Sequence, residues 1–156
     1  KVPTAVDRAF ELGMSAVAIT DHGTLSGAIE FYKTCKAKGI KPIIGMEAYV
    51  SPRKYTDKSS AEDRNPYHLT LLAKNQQGYK NLMKLSTIAS LEGFYYKPRI
   101  DHELLEKYSE GLIAIIPSFS GDVANSVRLH DIDKAKEKIE WYKKNPLKFI
   151  KICFLS

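Results

Sequence analysis

The sequence predicts an α/β fold in which strands and helices alternate along the chain. Short apolar runs typical of buried strands, such as residues 16–20 and 112–116, recur between segments whose apolar residues repeat every three to four positions. The chain has 156 residues, of which 44% are hydrophobic, which is enough for one core. We therefore expect one domain in which helices connect the strands of a single, mostly parallel sheet.

The first half of the chain is predicted to contain two helices and two strand regions. They are, in order, a helix capped by Thr4 and stopped by Gly13, a strand over 16–20, a helix over 28–39, and one or two strands within 41–50, interrupted at Gly45. Residues 51–66 are polar, charged and bounded by prolines, so they are predicted to form one long loop. A loop of that length in a compact domain is usually functional or mobile.

The second half continues the alternation. Its predicted elements are a strand over 68–73, a helix over 75–90, a loop over 92–100, a short helix that begins after Asp101, a strand over 112–116, a helix over 131–144 and a last strand within 149–154. Apolar residues occupy consecutive positions of the main strands, so we expect these strands to be buried on both faces. The strands 16–20, 43–49, 69–73 and 112–116 are expected to share one sheet.

Composition narrows the classes of function. No apolar run approaches the roughly 20 residues that a membrane span needs, so we expect no membrane association. The net charge is +6, which is compatible with a polyanionic partner, but lysines on solvated helix faces explain it equally well. The two cysteines, Cys35 and Cys153, are far apart and match no metal-binding spacing, so we interpret them as reduced thiols.

Four residues are candidates for chemistry because each lies at or in a predicted strand. Asp21 and His22 follow one strand, Glu47 lies inside the next, and His68 opens the one after. Imidazole and carboxylate are the usual ligands of zinc, manganese and iron. Glu47 is the most informative, because a carboxylate in an apolar strand needs a cation or hydrogen-bond donors to offset its desolvation. A histidine that only bonds a loop carbonyl remains the alternative for His68.

Three long strings identify a family resemblance. AITDHGTLSGAIEFYKTCKAKGIKPIIGMEAYV, YHLTLLAKNQQGYKNLMKLSTIASLEGFYYKPRID and YSEGLIAI resemble the PHP (polymerase and histidinol phosphatase) domain, in the form found at the N-terminus of the bacterial DNA polymerase III alpha subunit. The resemblance covers most of residues 1–116 and fades beyond about Gly121. It implies a distorted (β/α)7 TIM-like barrel with a metal site at one mouth, incomplete in this chain.

The resemblance also implies roles for individual residues. His22, Glu47 and His68 fall on metal ligands, and Asp21 on a partner that holds His22 in one tautomer. Ser118 stands where the family has a thiol or imidazole ligand, so it marks a degraded ligand position. The family's first strand with its His-x-His motif precedes Lys1, and its later Asp-x-His lies beyond Ser156. We therefore expect residues 1–156 to be a partial PHP domain that binds a divalent metal (zinc, manganese or magnesium) weakly or not at all.

Two functions of different classes follow from the resemblance. The first is a PHP module of a replicative DNA polymerase, serving as a scaffold or as a degraded metal-dependent phosphoesterase or 3′-5′ exonuclease. Its expected partners are DNA, through the parent polymerase, and other replicase subunits including a proofreading exonuclease, and its expected location is the cytoplasm. The alternative is a stand-alone PHP phosphatase that acts on small phosphate esters, against which the polymerase-specific string GFYYKPRID argues.

Two further expectations concern positions in space. Tyr95, Tyr96, Lys97 and Arg99 mix aromatic rings and cations, as a strand-binding or interdomain contact would. His68 begins its strand whereas His22 follows one, so a strictly parallel sheet would separate them. An antiparallel return after Val50 would bring His68 next to Glu47, within the roughly 8 Å beyond which two residues cannot share one ion.

Overall fold

The computed structural model describes residues 1–144 and 150–153. The helices are α1 (Val2–Glu11), α2 (Ala28–Ala37), α3 (Gln76–Leu91), α4 (His102–Lys107), α5 (Asp122–Arg128) and α6 (Ile132–Lys144). The strands are β1 (Ala16–His22), β2 (Lys41–Val50), β3 (Tyr67–Ala73), β4 (Phe94–Tyr95), β5 (Lys97–Ile100), β6 (Leu112–Pro117) and β7 (Ile150–Cys153). The predicted alternation of helices and strands is confirmed.

Three predictions about single elements were wrong, and one element was missed. Residues 41–50 form one continuous strand without the predicted interruption at Gly45, where an added Cβ atom would lie 2.6 Å from the Leu71 carbonyl oxygen. Residues 92–100, predicted as a loop, contain the hairpin of β4 and β5. The short helix α5 was not predicted. Helix α1 begins before Thr4, which does not cap it.

The four predicted strands share one sheet, as expected. Its order is β4-β5-β2-β3-β6-β7, with β1 paired to β2. The pairs β1–β2, β2–β5 and β6–β7 are parallel, whereas β3 runs antiparallel to both β2 and β6. The sheet is therefore mixed rather than mostly parallel, and the antiparallel return after Val50 is confirmed. This return sets the direction in which His68 enters the sheet.

All six helices pack on one face of the sheet, which we call the covered face. Its strand residues alternate with those of the opposite face, and they join side chains of α3 to α6 in the main core; they are Met46, Ala48, Val50, Leu69, Leu71, Leu112, Ala114 and Ile116. Helices α1 and α2 cover β1 through a smaller cluster around Val6, Phe31 and Cys35. Removing these apolar side chains from water is the main stabilising term of the fold.

The opposite face, which we call the open face, has no helix on it among the described residues. Its side chains are half-buried in β6 (Ile113, Ile115), and Ala18 in β1 is exposed. The expectation of burial on both faces is therefore wrong for the described part of the chain. A sheet whose helices all lie on one face has the layering of part of a TIM-like barrel, in which the helices form the outer ring. His22, Glu47 and His68 all lie on the open face.

A buried arginine, Arg99, holds the long loop of residues 51–66 through hydrogen bonds to its backbone. Arg99 in β5 has no exposed surface, and its guanidinium donates to the backbone carbonyls of Tyr55, Asp57 and Asp63. The Asp63 carboxylate is also buried and accepts from Arg53. The Arg53 hydrogen bond and the backbone N–H groups of residues 59 and 60 hold the pKa of Asp63 well below its usual range. Arg99 therefore organises the loop and is not available to a nucleic acid, which corrects its predicted contact role.

Among the helices that the structure describes, none combines the length and the apolar character needed to span a bilayer.

Candidate metal centre

Strand pairing brings the three predicted ligands together on the open face. In the parallel pair β1–β2, His22 lies opposite Glu47. In the antiparallel pair β2–β3, His68 lies opposite Tyr49, which is two residues after Glu47 and therefore on the same face. His22 thus approaches Glu47 from one side and His68 approaches it from the other. We refer to these three residues as the open-face cluster.

The geometry of the open-face cluster is compact. One potential ligand atom from each of the three residues lies within 4.8 Å of the other two. Nδ1 of His68 is in hydrogen-bond contact with Oε1 of Glu47, and Nε2 of His22 lies 3.8 Å from Oε2 of the same carboxylate. The predicted convergence is confirmed, whereas metal binding by these residues stays a prediction.

Exposure differs among the three side chains. The His22 side chain is 60% exposed, while those of Glu47 and His68 are 26% and 27% exposed. A ligand from solvent therefore has access to the cluster through the His22 side. His68 is in hydrogen-bond contact with the half-buried Glu47 carboxylate. This contact offsets part of the free-energy cost of removing the carboxylate from water.

Tyr49 is a member of this site that the sequence analysis missed. Its hydroxyl lies 3.3 Å from Nδ1 of His22, and its ring packs edge-on against His68 with centroids 5.1 Å apart. When Nδ1 of His22 donates to this hydroxyl, Nε2 keeps a lone pair that faces Glu47. In sequence, a tyrosine within an apolar strand indicates core packing, so no signal distinguished it.

Asp21 does not have the predicted role. Successive residues of a strand point to opposite faces, so Asp21 lies on the covered face while His22 lies on the open face. The Asp21 carboxylate accepts a hydrogen bond of 3.0 Å from the backbone N–H of Gly27 and thereby fixes the turn before α2. Tyr49 occupies the position next to His22 that the prediction gave to Asp21.

Ser118 lies near the cluster, in the turn that follows β6, and is half-buried. Two residues further on, the carbonyl of Ser120 accepts a hydrogen bond of 2.8 Å from the backbone N–H of His68. This turn is therefore next to the start of β3. A serine hydroxyl is a poor ligand for borderline metals, so Ser118 adds no ligand of the predicted thiol or imidazole type.

The predicted contact residues of the β4–β5 hairpin have unequal exposure. Tyr96 is 62% exposed and Lys97 is exposed, whereas Tyr95 is half-buried and Arg99 is fully buried. The ammonium of Lys97 lies 5.5 Å from the centre of the Tyr49 ring. The hairpin therefore borders the open-face cluster through Lys97.

A second histidine–carboxylate pair lies between the helices, and the sequence analysis did not identify it. Nε2 of His102 lies 3.2 Å from Oδ2 of Asp122, and the Tyr142 hydroxyl donates to Oδ1 at 3.1 Å. Asp122 is 2% exposed, and Lys138 donates to its backbone carbonyl at 2.9 Å. We refer to His102, Asp122, Lys138 and Tyr142 as the Asp122 cluster. Its members are at least four residues apart and come from three helices, so no local motif reveals them.

Burial and nearby charges act in opposite directions on Asp122. Burial raises the pKa of its carboxyl, but the His102 and Lys138 charges and the Tyr142 hydroxyl outweigh it, so the pKa lies below the ordinary value of 3.8. Burial and the same carboxylate raise the pKa of Tyr142, which keeps its hydroxyl protonated as a donor. The cluster borders a cavity of about 600 Å³ whose lining includes both acidic and basic side chains, Glu62, Glu137, Lys134 and Lys138. Its charge therefore favours neither anions nor cations.

The donor set of the open-face cluster fits a divalent metal ion. Two imidazoles and one carboxylate are a common ligand combination for zinc and manganese. Ligand atoms that share one ion, each about 2 Å from it, lie no more than about 4 Å apart, which is close to the observed spacing. The Asp122 cluster offers no comparable set, since it has one imidazole and one carboxylate, and Oδ1 of that carboxylate already accepts from Tyr142 and from the Val123 backbone N–H.

The chain is similar to known proteins over most of its length. The family model described as PHP domain matches residues 1–148. The DNA polymerase III subunit alpha of Borreliella burgdorferi is 49% identical over 145 residues, and that of Aquifex aeolicus is 49% identical over 149 residues. Each alignment covers 92% of this chain and 13% of the relative. The subunit of Helicobacter pylori (strain ATCC 700392 / 26695) is 51% identical over 123 residues, which cover 79% of this chain and 10% of that protein.

A solved structure from Bifidobacterium adolescentis, described as a candidate metal-dependent phosphoesterase, matches with a TM-score of 0.49 and 11% identity. That match covers 92% of this chain and 78% of the other. The chain spans about 13% of the length of the first two polymerase subunits that it matches. The resemblance seen in the sequence is confirmed by the family match and by these relatives: the chain belongs to the PHP domain family.

Proposed function

We propose that this chain is the PHP module of a DNA polymerase III alpha subunit and that it serves DNA replication in the cytoplasm. The support is 49% identity to two such subunits across 92% of the chain. The same relatives favour this function over a stand-alone phosphatase for small phosphate esters. Polymerisation, contact with DNA and docking of a proofreading exonuclease belong to the whole subunit in this proposal.

The observation that carries the chemical part of the proposal is the open-face cluster. We propose that His22, Glu47 and His68 bind one divalent metal ion, with Tyr49 orienting His22. A divalent ion bound beside a phosphodiester polarises it and activates water for attack. With three ligands and serine at position 118, we expect weak binding and a module that acts mainly as a scaffold or as a degraded phosphoesterase.

The test is a calorimetric titration of the chain with Mn²⁺ and with Zn²⁺. We expect one site with a Kd weaker than about 1 μM, corresponding to less than about 8 kcal/mol. Glu47→Gln keeps the shape of the side chain but removes its charge, so it should weaken binding at least tenfold. Glu30→Gln, on the exposed surface of α2, is the matched control and should change nothing.

Two results would contradict the proposal. Absence of binding to the unaltered chain, or binding that Glu47→Gln leaves intact, would remove the open-face cluster as a metal site. A much tighter site would contradict only the expectation that the site is degraded.

A further inference from the structure

The β4–β5 hairpin packs next to the open-face cluster. A Cβ atom added at Gly23, the residue after His22, would lie 2.6 Å from Cγ of Pro98, so the hairpin and the end of β1 are in close contact. Lys97 lies over the ring of Tyr49, whose hydroxyl contacts His22. Any extended ligand that reaches His22 along this side therefore passes the hairpin.

Exposed aromatic rings form the outer surface of the hairpin. Phe94 is 55% exposed and Tyr96 is 62% exposed. The Arg64 guanidinium lies 5.5 Å from the centre of the Tyr96 ring, and Tyr95 packs edge-on against the same ring at 4.8 Å. The nearby cations Arg64 and Lys97 thus contact aromatic rings rather than carboxylates. Aromatic rings next to cations are the combination that binds single-stranded nucleic acids.

The backbone at Tyr96 is strained. Tyr96 is the single residue between β4 and β5, and its φ is 60°, in the left-handed region. This conformation is unfavourable for a residue with a side chain, and glycine adopts it without cost. The turn therefore carries an aromatic ring at its tip where glycine would be the better residue for folding. Strain of this kind is typically found where the side chain has another use.

From these three observations we infer that the β4–β5 hairpin binds a single-stranded nucleic-acid segment and directs it towards the open-face cluster. A base stacks on Tyr96 at the exposed tip, and a backbone phosphate pairs with Lys97 or Arg64. The direction of the strand rests on the proposed function, but binding at the hairpin does not require the metal. Recognition is independent of base identity, since each base offers a ring face for stacking.

The test measures binding in EDTA, so that it is separate from the metal titration. The probe is a fluorescein-labelled oligo(dT) of about 12 nucleotides, and binding is followed by fluorescence anisotropy. Tyr96→Ala should weaken binding about tenfold, the usual effect of losing one stacked base. Lys97→Gln should reduce the slope of log Kd against log salt by about 0.7, the value for one phosphate contact in a single strand.

The control for Tyr96 is Tyr32→Ala. Tyr32 is 48% exposed and lies near Pro42 and Ala73, at the end of the sheet opposite the cluster, so its loss should not change binding. Tyr96→Gly provides a second variant. It should weaken DNA binding as Tyr96→Ala does while leaving the melting temperature unchanged or raised, because the strain in the turn is removed.

Several outcomes would overturn the inference. These are no binding by the unaltered chain, equal loss in Tyr96→Ala and Tyr32→Ala, or a Tyr96→Gly variant that loses stability. Self-association of the chain that Tyr96→Ala abolishes would instead assign the hairpin to a protein interface. Metal binding with no oligonucleotide binding would refute the hairpin surface alone, and the reverse result would refute the metal site alone.

Discussion

The open-face cluster and the Asp122 cluster use the same chemical groups in opposite environments. Each has a histidine beside a carboxylate and a tyrosine hydroxyl within hydrogen-bond distance. In the open-face cluster the carboxylate is about a quarter exposed and the tyrosine contacts the histidine. In the Asp122 cluster the carboxylate is almost fully buried and the tyrosine donates to it directly.

The exposed open-face cluster is accessible to a ligand, whereas the buried Asp122 cluster holds three helices together. The open-face cluster comes from three adjacent strands, and its side chains are a quarter to more than half exposed, so a ligand from solvent can reach them. The Asp122 cluster joins α4, α5 and α6, because the Asp122 carboxylate lies beside His102 and accepts from Tyr142 while its backbone carbonyl accepts from Lys138. Similar residue types therefore carry different functions because of burial and of what else is bonded.

The largest expected effect is the difference between Asp122 and Glu47 in how much loss of the carboxylate lowers the free energy of unfolding. Asp122→Asn leaves His102 without its buried partner and should lower the free energy of unfolding by about 3 kcal/mol. Glu47→Gln affects a partly exposed pair and should lower it by less than about 1 kcal/mol. Urea denaturation followed by circular dichroism measures both. Equal losses in the two variants would show that the clusters do not differ in structural role.

The two tyrosines provide a matched comparison of intermediate size. Tyr142→Phe removes one of the two donors to Oδ1 of the buried Asp122, which keeps the backbone N–H of Val123, and should cost about 1 kcal/mol of unfolding free energy. Tyr49→Phe should cost only about 0.5 kcal/mol, because the exposed His22 side can bond water instead. The same denaturation experiment reports both values. A larger cost for Tyr49→Phe would reverse the assignment of roles.

The smallest expected effect is the change in the free energy of unfolding with pH. The pKa of Asp122 is lowered in the folded chain, so its contribution is fully present only above about pH 5, where the carboxyl of the unfolded chain is ionised, and it is lost as the pH falls through the ordinary value of 3.8 and then through the folded pKa below it. The difference in unfolding free energy between the unaltered chain and Asp122→Asn should therefore shrink between about pH 5 and pH 3. A constant difference over that interval would contradict the charge-based role of Asp122.

The parts of the molecule that the sequence predicted depend on local patterns. Apolar runs located β1, β3 and β6. The family resemblance predicted that His22, Glu47 and His68 converge, and because His68 begins its strand, that convergence required the antiparallel return after Val50. In each case the information lies in residues that are close along one or two adjacent strands.

The remaining features depend on contacts between distant residues. Residues 102, 122 and 142 meet only after three helices have packed, so nothing in their spacing indicates a cluster. Arg99 is a residue type that often contacts DNA, but in this fold it lies opposite Tyr49 and bonds the backbone of the long loop, so its side chain is buried. Asp21 was misassigned because neighbouring residues of a strand point to opposite faces, so Asp21 cannot contact the His22 side chain. The hydrogen bond from Gly27 to its carboxylate shows that Asp21 lies on the covered face.

The buried guanidinium of Arg99 has a consequence for the order of folding. The loop that it anchors lies 36 to 44 residues earlier in the chain than the arginine that bonds its carbonyl groups. During synthesis on the ribosome, residues 55–63 emerge well before residue 99, so their backbone acceptors must bond water until β5 has joined β2. Long-range closures of this kind slow folding. The loop can therefore reach its final conformation only after β5 has formed, although it lies in the first half of the sequence.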